Sequence, residues 1–406
     1  MRIRARFVVA GLLAVAAATV PAWQASAATL MKVDSFSGAV TQNEINSFKA
    51  YIAPLTPAAN NIDNQWAQGH PGEQAKAMAV VYEISHDAAI LTKLVTFCDA
   101  VLSERNDLAA APTGRYVLWT GGVDPAWPND VSTSPIQTGG EQGDPVGHLG
   151  TCARLILQAP ALWNQTVPGG DPKHYGTTYL ARARTYVAGG DKAVDGHILK
   201  RLLDVTTHTN RMYFAADSPY QGGHAVPWNQ QMMFNYGFQN LAAAHSLLGD
   251  SPSRVTRYET LVRTSMSWFF ADLKLSTGPK GRTVANWGYA PGGSTEDSSH
   301  GSLDIAGVYR AYLSGRYGVT AAMMTPLANT YLDVMAIGPQ HYAGRVDGTD
   351  GSGNSGPTSY IRAGWLVLAE FRPDAYRSMM SADLTEGGTT GSIDQYSRFL
   401  LVKSRR

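Results

Sequence analysis

The chain has 406 residues, of which 44% are hydrophobic and 16% charged, and its 33 basic residues nearly balance 32 acidic ones. It contains no block of basic residues, which argues against nucleic acid and anionic membranes as partners. Beyond the amino-terminal segment, no stretch approaches the ~18 consecutive apolar residues of a membrane span, so we expect the mature protein to be soluble.

The first 27 residues have the organisation of a secretory signal peptide. Three arginines precede an apolar run over 7–20, and Ala-Ser-Ala at 25–27 supplies the small residues of a cleavage site. Loss of these three arginines changes the formal charge from +1 to −2. The signal peptide predicts a secreted, extracellular protein. Because no domain boundary is visible, we expect 28–406 to form a single catalytic domain.

Helical spacing of apolar residues recurs along the chain, whereas strand-like alternation is scarce. The predicted helices are 75–84, 88–102, 146–162, 179–189, 193–215, 230–248, 254–273, 303–313, 320–335 and 357–368. Short apolar runs at 116–119 and 399–402 are candidates for strands. Cys98 and Cys152 are the two cysteines, and an even pair in a secreted protein suggests a disulfide. Two buried free thiols are the alternative.

The predicted helices form hairpins, in which a short turn rich in Gly, Asp or Ser joins two helices. The turn at 249–253 has an echo at 314–318. One hairpin cannot bury its apolar face alone, so several must stack. The long loops 111–145, 218–229 and 275–300 fall between hairpins, and we expect them to meet on one rim. The sequence therefore predicts an all-α fold, an α/α toroid of stacked helical hairpins with minor β structure at most.

The stretch 287–301 carries the strongest functional signal, because it combines aromatics, glycines, carboxylates and a histidine before a predicted helix. Flat faces and convergent polar groups are what a sugar site needs. His300 and Asp304 lie four apart on one helical face, so the carboxylate could orient the imidazole. A satisfied buried polar contact is the alternative. The site candidates in this region are Arg282, Trp287, Tyr289, Glu296, Asp297 and His300.

Three further groups of residues have the chemistry of a site. The first is His224, Trp228, Asn229 and Gln230, although Asn229 also stands where a helix N-cap belongs. The second is Glu141, Asp144 and His148, for which an acidic first turn that complements the helix dipole is the alternative. The third is Tyr342 and Arg362 with their aromatic and charged neighbours, which suit an acidic sugar or simply pack a loop.

The motifs at 227–231 (Pro-Trp-Asn-Gln-Gln), 287–289 and 296–301 resemble those of secreted α/α-toroid polysaccharide-degrading enzymes, among them the toroid lyases that cut alginate or glucuronan. By layout the resemblance covers most of 60–370. It implies β-elimination at a uronic acid of a polysaccharide. Asn229, with His224 or His300, would neutralise the substrate carboxylate, and Arg282 would pair with it. Tyr289 would act as base and acid, its pKa lowered by a nearby Arg. The implied substrate-binding residues are Trp228, Gln230, Trp287, Glu296, Asp297, Tyr342 and Arg362.

A glycoside hydrolase on the same toroid is the principal alternative. It needs two carboxyl groups that flank the scissile bond, and the candidates are Glu296 or Asp297 with Asp144 or Glu141. A uronate epimerase and a non-catalytic carbohydrate-binding repeat protein also stay open. Zinc, EF-hand, phosphate-loop and dinucleotide motifs are missing, so we expect no metal and no cofactor. We expect a monomer whose partner is its polysaccharide substrate.

Overall fold

The computed structural model describes residues 29–406, so the predicted signal peptide at 1–27 lies outside the described residues. Within 29–406 there are twelve α-helices. They are α1 (Gln42–Ile52), α2 (His70–Ser85), α3 (Ala88–Ser103), α4 (Gly143–Leu157), α5 (Tyr179–Ala193), α6 (Trp228–Leu248), α7 (Pro252–Asp272), α8 (Ser298–Ser314), α9 (Ala321–Asn329), α10 (Ala363–Leu366), α11 (Tyr376–Met380) and α12 (Ile393–Ser404). Two π-helical segments, Val194–Leu202 and Thr330–Met335, continue α5 and α9. None of the helices in this part of the chain is long and apolar enough to cross a membrane.

Short strands form four antiparallel ribbons among the described residues. The strands are β1 (Met31–Lys32), β2 (Leu203–Asp204), β3 (Tyr213–Phe214), β4 (Lys274–Thr277), β5 (Thr283–Asn286), β6 (Ala336–Gly338), β7 (His341–Tyr342) and β8 (Thr389–Thr390). The pairs are β1 with β8, β2 with β3, β4 with β5, and β6 with β7. The β structure is therefore peripheral to the helical core.

The even-numbered helices form a closed ring. Each of α2, α4, α6, α8 and α10 packs against the next even-numbered helix, and α12 packs back against α2. Odd-numbered helices lie outside this ring, where α3 contacts α2 and α4, α5 contacts α4 and α6, and α7 contacts α6. This arrangement confirms the predicted α/α toroid.

The connections from outer to inner helices are long and lie at the amino ends of the inner helices, which we call the loop rim. The backbone N–H of Trp228 donates to the carbonyl oxygen of Tyr289 at 3.1 Å. Gly139 packs against the Tyr220 ring so closely that a Cβ there would lie 2.9 Å from Cε1. The three long loops named from the sequence therefore meet on one rim, as predicted.

Glycines on one face of α4 allow α6 to approach it closely. A Cβ at Gly143 would lie 2.2 Å from the backbone of Met233, and a Cβ at Gly147 would lie 2.1 Å from the Tyr236 ring. Gly150 continues the same face one turn later, as the three- and four-residue spacing of a helix requires. The two helices thus share a seam in which side chains from α6 fill the space above α4.

Three element predictions are wrong at least in part, and one of them is the helix at 357–368, which begins only at Ala363. The predicted helix at 193–215 ends at Leu202, after which the chain forms the β2–β3 ribbon. The run 399–402, a strand candidate, lies inside α12. A short apolar run does not distinguish a strand from a buried helix by its pattern alone. At 116–119 only Leu118 forms a bridge, to Ile136.

Cys98 on α3 and Cys152 on α4 form a disulfide, and both residues are fully buried. The bridge joins an outer helix to the inner helix that follows it in the chain. Of the two alternatives left open by the sequence, the structure has the disulfide.

A buried ion pair joins the first and last helices. The Lys403 ammonium on α12 lies 2.8 Å from both carboxylate oxygens of Glu44 on α1, and both side chains are at most 1% exposed. Glu44 also accepts hydrogen bonds from the backbone N–H groups of Thr41 and Asp34. Both carboxylate oxygens of Glu44 therefore accept hydrogen bonds, which is the condition under which a buried ion pair is tolerated.

We expect Lys403→Met to lower the free energy of unfolding by about 3–5 kcal/mol, because it leaves the Glu44 carboxylate buried without its counter-charge. Denaturant unfolding followed by circular dichroism measures the change. The double variant Glu44→Gln/Lys403→Met is the control, and it should recover a large part of the loss. A single variant as stable as the wild type would show that the pair does not hold the two helices.

Candidate functional site

A cavity of about 580 Å³ lies inside the ring at the loop rim. Side chains from all six inner helices form its wall. The charged and amide residues on this wall are Gln68, Glu73, Lys76, Asp144, Asn229, Arg310, Arg362, Asp383, Asp394, Gln395 and Arg398. The volume and the convergent polar groups are those of a small-ligand or oligosaccharide site. We call it the rim cavity.

Lys76 joins two carboxylates on one side of the rim cavity. Its Nζ lies 3.0 Å from Glu73 Oε1 and 3.0 Å from Asp144 Oδ2. Burial pushes the pKa of Glu73 up, but Lys76 outweighs it and holds that pKa below its ordinary value. For Asp144 burial is the larger effect and raises the pKa, although Lys76 opposes it. The two carboxyl groups therefore have pKa values displaced in opposite directions.

A second pair of carboxyl groups, Asp383 and Asp394, lies on the wall near α12. Burial and then the nearby charge of Asp394 raise the pKa of Asp383 to about 6. Asp383 Oδ2 accepts a hydrogen bond from the backbone N–H of Ile361 at 2.8 Å. Asp394 Oδ1 accepts one from the Ser392 hydroxyl at 2.7 Å. Sequence reasoning missed both residues, because each stands alone in a polar stretch without a motif.

Three arginines on the wall have no ion-pair partner within 29–406. The Arg310 guanidinium lies 4.2 Å above the Tyr236 ring, and that of Arg362 lies 5.7 Å from the Tyr360 ring centre. Arg362, a predicted binding residue, has a buried Nε without a hydrogen-bond partner. Arg398 extends from α12. Cations that no carboxylate neutralises favour an anionic ligand.

Asn229 lies on the wall of the rim cavity, as the site prediction requires, and its buried Oδ1 has no hydrogen-bond partner. The N-cap alternative is wrong, because Pro227 occupies that position and Asn229 is in the first turn of α6. Trp228 is fully buried, with its ring packed edge-on against Trp268 and Phe269. It therefore belongs to the core and offers no face to a sugar, which corrects its predicted role.

Gln230 and His224 lie on the loop rim outside the rim cavity's wall. Gln230 Nε2 donates to the Tyr220 hydroxyl at 2.7 Å and so ties α6 to the loop before it. His224 is exposed. Neither residue lines the rim cavity, so the structure does not place them where the prediction requires.

Asp297 and His300 form a hydrogen-bonded pair at the amino end of α8. Asp297 caps the helix, since its Oδ1 accepts from the backbone N–H groups of Ser299 and His300 at 2.8 and 2.9 Å. Its Oδ2 lies 2.6 Å from His300 Nδ1. Asp297, and not Asp304 as predicted, orients the imidazole. The Tyr289 ring packs edge-on against His300, with centres 5.0 Å apart.

Two conditions of the predicted elimination site are not met. Burial raises the pKa of Tyr289, and Tyr220 and Glu296 raise it further, whereas a catalytic base needs a lowered pKa. Arg282 lies at the protein surface, where its Nε pairs with Asp333 Oδ2 at 2.8 Å. It does not line the rim cavity.

Glu296 and Asp304 form a buried carboxyl pair beneath the loop 287–301, and both side chains are fully buried. Burial and then the neighbouring Asp304 raise the pKa of Glu296, and burial also raises that of Asp304. The Trp287 indole N–H donates to Asp304 Oδ2 at 2.9 Å. Trp287 is thus a core residue that supports this pair, which corrects its predicted sugar-binding role. Two such carboxyls share a proton.

Most of the remaining candidate residues have contacts that indicate a structural role. Glu141 is buried and accepts from the backbone N–H of Gly139 at 2.7 Å. Burial lowers the pKa of His148 to about 3, so this histidine is neutral, with its Nε2 at 2.7 Å from the Trp66 carbonyl oxygen. Tyr342 stacks on Tyr331. Asp144 is the member of the second sequence group that reaches the cavity.

Glu296, Asp297 and His300 are also a group that could hold a metal ion. One ligand atom from each lies within 4.8 Å of the others. Asp297 Oδ2 and His300 Nδ1 are already hydrogen-bonded to each other. A metal bound through these two atoms would have to replace that contact, whereas the sequence predicts no metal site here.

Comparisons with known proteins leave the family open. No family model and no curated protein matches the chain. Among solved structures, the chain is similar to a glycoside hydrolase family 76 mannosidase from Bacteroides thetaiotaomicron, with 11% identity and a TM-score of 0.40 over 82% of this chain and 68% of that chain. The chemistry of the rim cavity is therefore what indicates the function.

The Glu296–Asp304 pair should make stability depend on pH. Unfolded carboxyls lose their protons above about pH 4, whereas the folded pair keeps one, so the free energy of unfolding should fall as pH rises from there. In Glu296→Gln a neutral amide replaces one carboxyl group of the pair, so the free energy of unfolding should fall less steeply with pH. Denaturant unfolding at pH 4, 5, 6, 7 and 8 measures both proteins. Parallel curves would contradict the shared proton.

Proposed function

We propose that the chain is a secreted enzyme that hydrolyses glycosidic bonds of a polysaccharide in the rim cavity of its toroid. The observation that carries this proposal is the convergence of the carboxyl groups of Glu73, Asp144 and Asp383 on the wall of one cavity, where their surroundings displace their pKa values differently. Burial raises the pKa values of Asp144 and Asp383, whereas Lys76 holds that of Glu73 low. Hydrolysis needs one carboxyl group protonated and another ionised at the same pH.

Asp383 and Asp144 have the acid and base roles in the proposed reaction, and Glu73 holds Lys76 beside Asp144. Asp383, with a pKa of about 6, protonates the leaving glycosidic oxygen. Asp144 takes a proton from the attacking water, and its raised pKa makes it a stronger base. Lys76 opposes the effect of burial on Asp144 and so favours the ionised form of this carboxyl group inside the ring. Asp144 is one of the two carboxylates, with Glu141, that the sequence offers on this side of the bond, and Asp383 takes the place given to Glu296 or Asp297.

Elimination at a uronic acid is the second candidate, and Asn229 and Arg362 on the cavity wall favour it. Both carry buried polar atoms without partners, and both types of side chain can mask a substrate carboxylate. The raised pKa of Tyr289 weighs against it as the base of that reaction. We therefore favour hydrolysis, because burial shifts the pKa values of its proposed acid and base, Asp383 and Asp144, in the direction that their roles need.

A comparison of Asp144→Asn with Asn229→Ala separates the two reactions. We expect Asp144→Asn to lose ~10²–10⁴-fold in turnover, the usual scale for an acid–base group, and Asn229→Ala to keep most of its activity. The assay incubates each protein with uronic and neutral polysaccharides and follows both reducing ends and the ultraviolet absorbance of unsaturated uronates. Hydrolysis gives reducing ends alone.

The control is Asp217→Asn, an exposed carboxylate paired with Arg201 on the outer surface, which should behave as the wild type. Circular dichroism checks the fold of each variant. An inactive Asn229→Ala together with an active Asp144→Asn, with absorbance in the products, would replace hydrolysis by elimination. No product from any polysaccharide in the panel would contradict both enzymatic proposals.

The acid role of Asp383 predicts a pH limb. Because this group must be protonated in the free enzyme, kcat/KM should fall as pH rises through about 6. Asp383→Asn removes the ionisable proton while keeping an acceptor for the Ile361 N–H, so its residual activity should lack this limb. The measurement is a kcat/KM profile between pH 4 and 8. An unchanged limb in the variant would exclude Asp383 as the acid.

A further inference from the structure

A second cavity, of about 370 Å³, lies at the end of the ring opposite the loop rim. Its wall comes from α2, α4, α6, α8 and α12. It meets the rim cavity at residues that line both, namely Lys76, Ala306, Arg310 and Arg398. Its outer edge carries Glu83, whose side chain is 44% exposed, so the cavity opens to solvent. We call it the rear cavity.

Positive charge dominates the rear cavity. Its lining holds five basic residues and one carboxylate, which are Lys76, Arg154, Arg310, Arg316, Arg398 and Glu83. Three of the cations have partners. Lys76 pairs with Asp144, Arg154 pairs with Glu83 at 2.7 Å, and Arg316 pairs with Glu259. Two remain, Arg310 and Arg398, and no carboxylate of the described chain lies within salt-bridge distance of either.

Arg310 and Arg398 lie where the two cavities meet, and their charges act on each other. Burial lowers the pKa of the Arg310 guanidinium, and the charge of Arg398 lowers it further. Like charges in a partly desolvated channel repel, and an anion between them would remove that cost. Guanidinium groups bind carboxylate, phosphate and sulfate through paired, charge-assisted hydrogen bonds.

A buried donor without a partner lies on the same wall. Gln239 is 7% exposed, and its Nε2 donates to no group in 29–406. A buried amide that makes no hydrogen bond is costly, so such a group indicates a partner that the chain itself does not supply. Its position on α6 puts this donor in the rear cavity and not in the rim cavity.

We propose that Arg310 and Arg398 bind a small oxyanion that enters through the rear cavity, with Gln239 as an additional donor. The ligand class is a tetrahedral inorganic oxyanion or the carboxylate of a monosaccharide acid, because both present the paired acceptor oxygens that a guanidinium recognises. The proposal does not rest on the proposed hydrolysis, whose carboxyl groups Asp144 and Asp383 line the rim cavity and not the rear cavity.

Isothermal titration calorimetry of the full-length mature protein tests the proposal with four probes: phosphate, sulfate, glucuronate and glucose. At least one of the three oxyanions should bind, and neutral glucose should not. Which of them binds distinguishes an inorganic ligand from a sugar acid. Arg398→Gln should weaken that binding at least about tenfold, as expected for a lost charge-assisted contact. Gln239→Leu should weaken it less.

Two further variants locate the site and one separates it from catalysis. Ala243→Trp fills the rear cavity from α6 and should block binding, because Ala243 lines the rear cavity and not the rim cavity. Arg316→Gln, at the same mouth but paired with Glu259, is the matched control and should bind as the wild type. Asp144→Asn should still bind the anion, and no more weakly than the wild type, because it removes a negative charge that acts on Arg310, even though hydrolysis is lost.

Three results would overturn the proposal. The first is that none of the three oxyanions binds. The second is equal affinity in Arg398→Gln and the wild type, with both proteins folded by circular dichroism. The third is normal binding in Ala243→Trp, which would mean that the anion enters from the loop rim.

Discussion

The close approach of α4 to α6 is the constraint on which the interior of the ring depends. Gly143, Gly147 and Gly150 leave one face of α4 bare, and backbone and side chains of α6 fill that space. Each glycine inside a helix costs about 0.5–1 kcal/mol relative to alanine, so the packing must offset that loss. Because α6 lies so close, Asp144 at the start of α4 and Asn229 at the start of α6 reach the same cavity.

Burial inside the ring separates carboxyl groups that would otherwise titrate alike. Lys76 touches Glu73 and Asp144 at equal distances, yet the better-buried Asp144 has the raised pKa and Glu73 the lowered one. The same desolvation acts below the loop 287–301, where the Trp287 indole holds a carboxyl pair in place. Tryptophans that look like a sugar platform in the sequence thus support the loop from underneath.

The sequence predicts the toroid well, because helical periodicity and the alternation of short turns with long loops are local signals. Local signals also act at the start of α3, where Asp87, a favoured N-cap residue, accepts from the Ala89 N–H at 2.9 Å. It fails where the outcome depends on distant packing. Asp383 and Asp394 become cavity residues only because α12 packs back against α2, and no local pattern encodes that closure. Similarly, the presence of a tryptophan at position 228 does not reveal whether its ring faces a cavity or the core.

Closure of the ring has a consequence for how the molecule loses its structure. In a linear array of helical hairpins each unit touches only its neighbours, and the end units have a neighbour on one side only. Here α12 packs against α2, and the β1–β8 ribbon joins residues 31–32 to 389–390, so the first and last hairpins both have neighbours on two sides. No hairpin in the described chain is an end from which fraying can spread. Such an architecture favours cooperative, all-or-none unfolding over gradual loss of repeats.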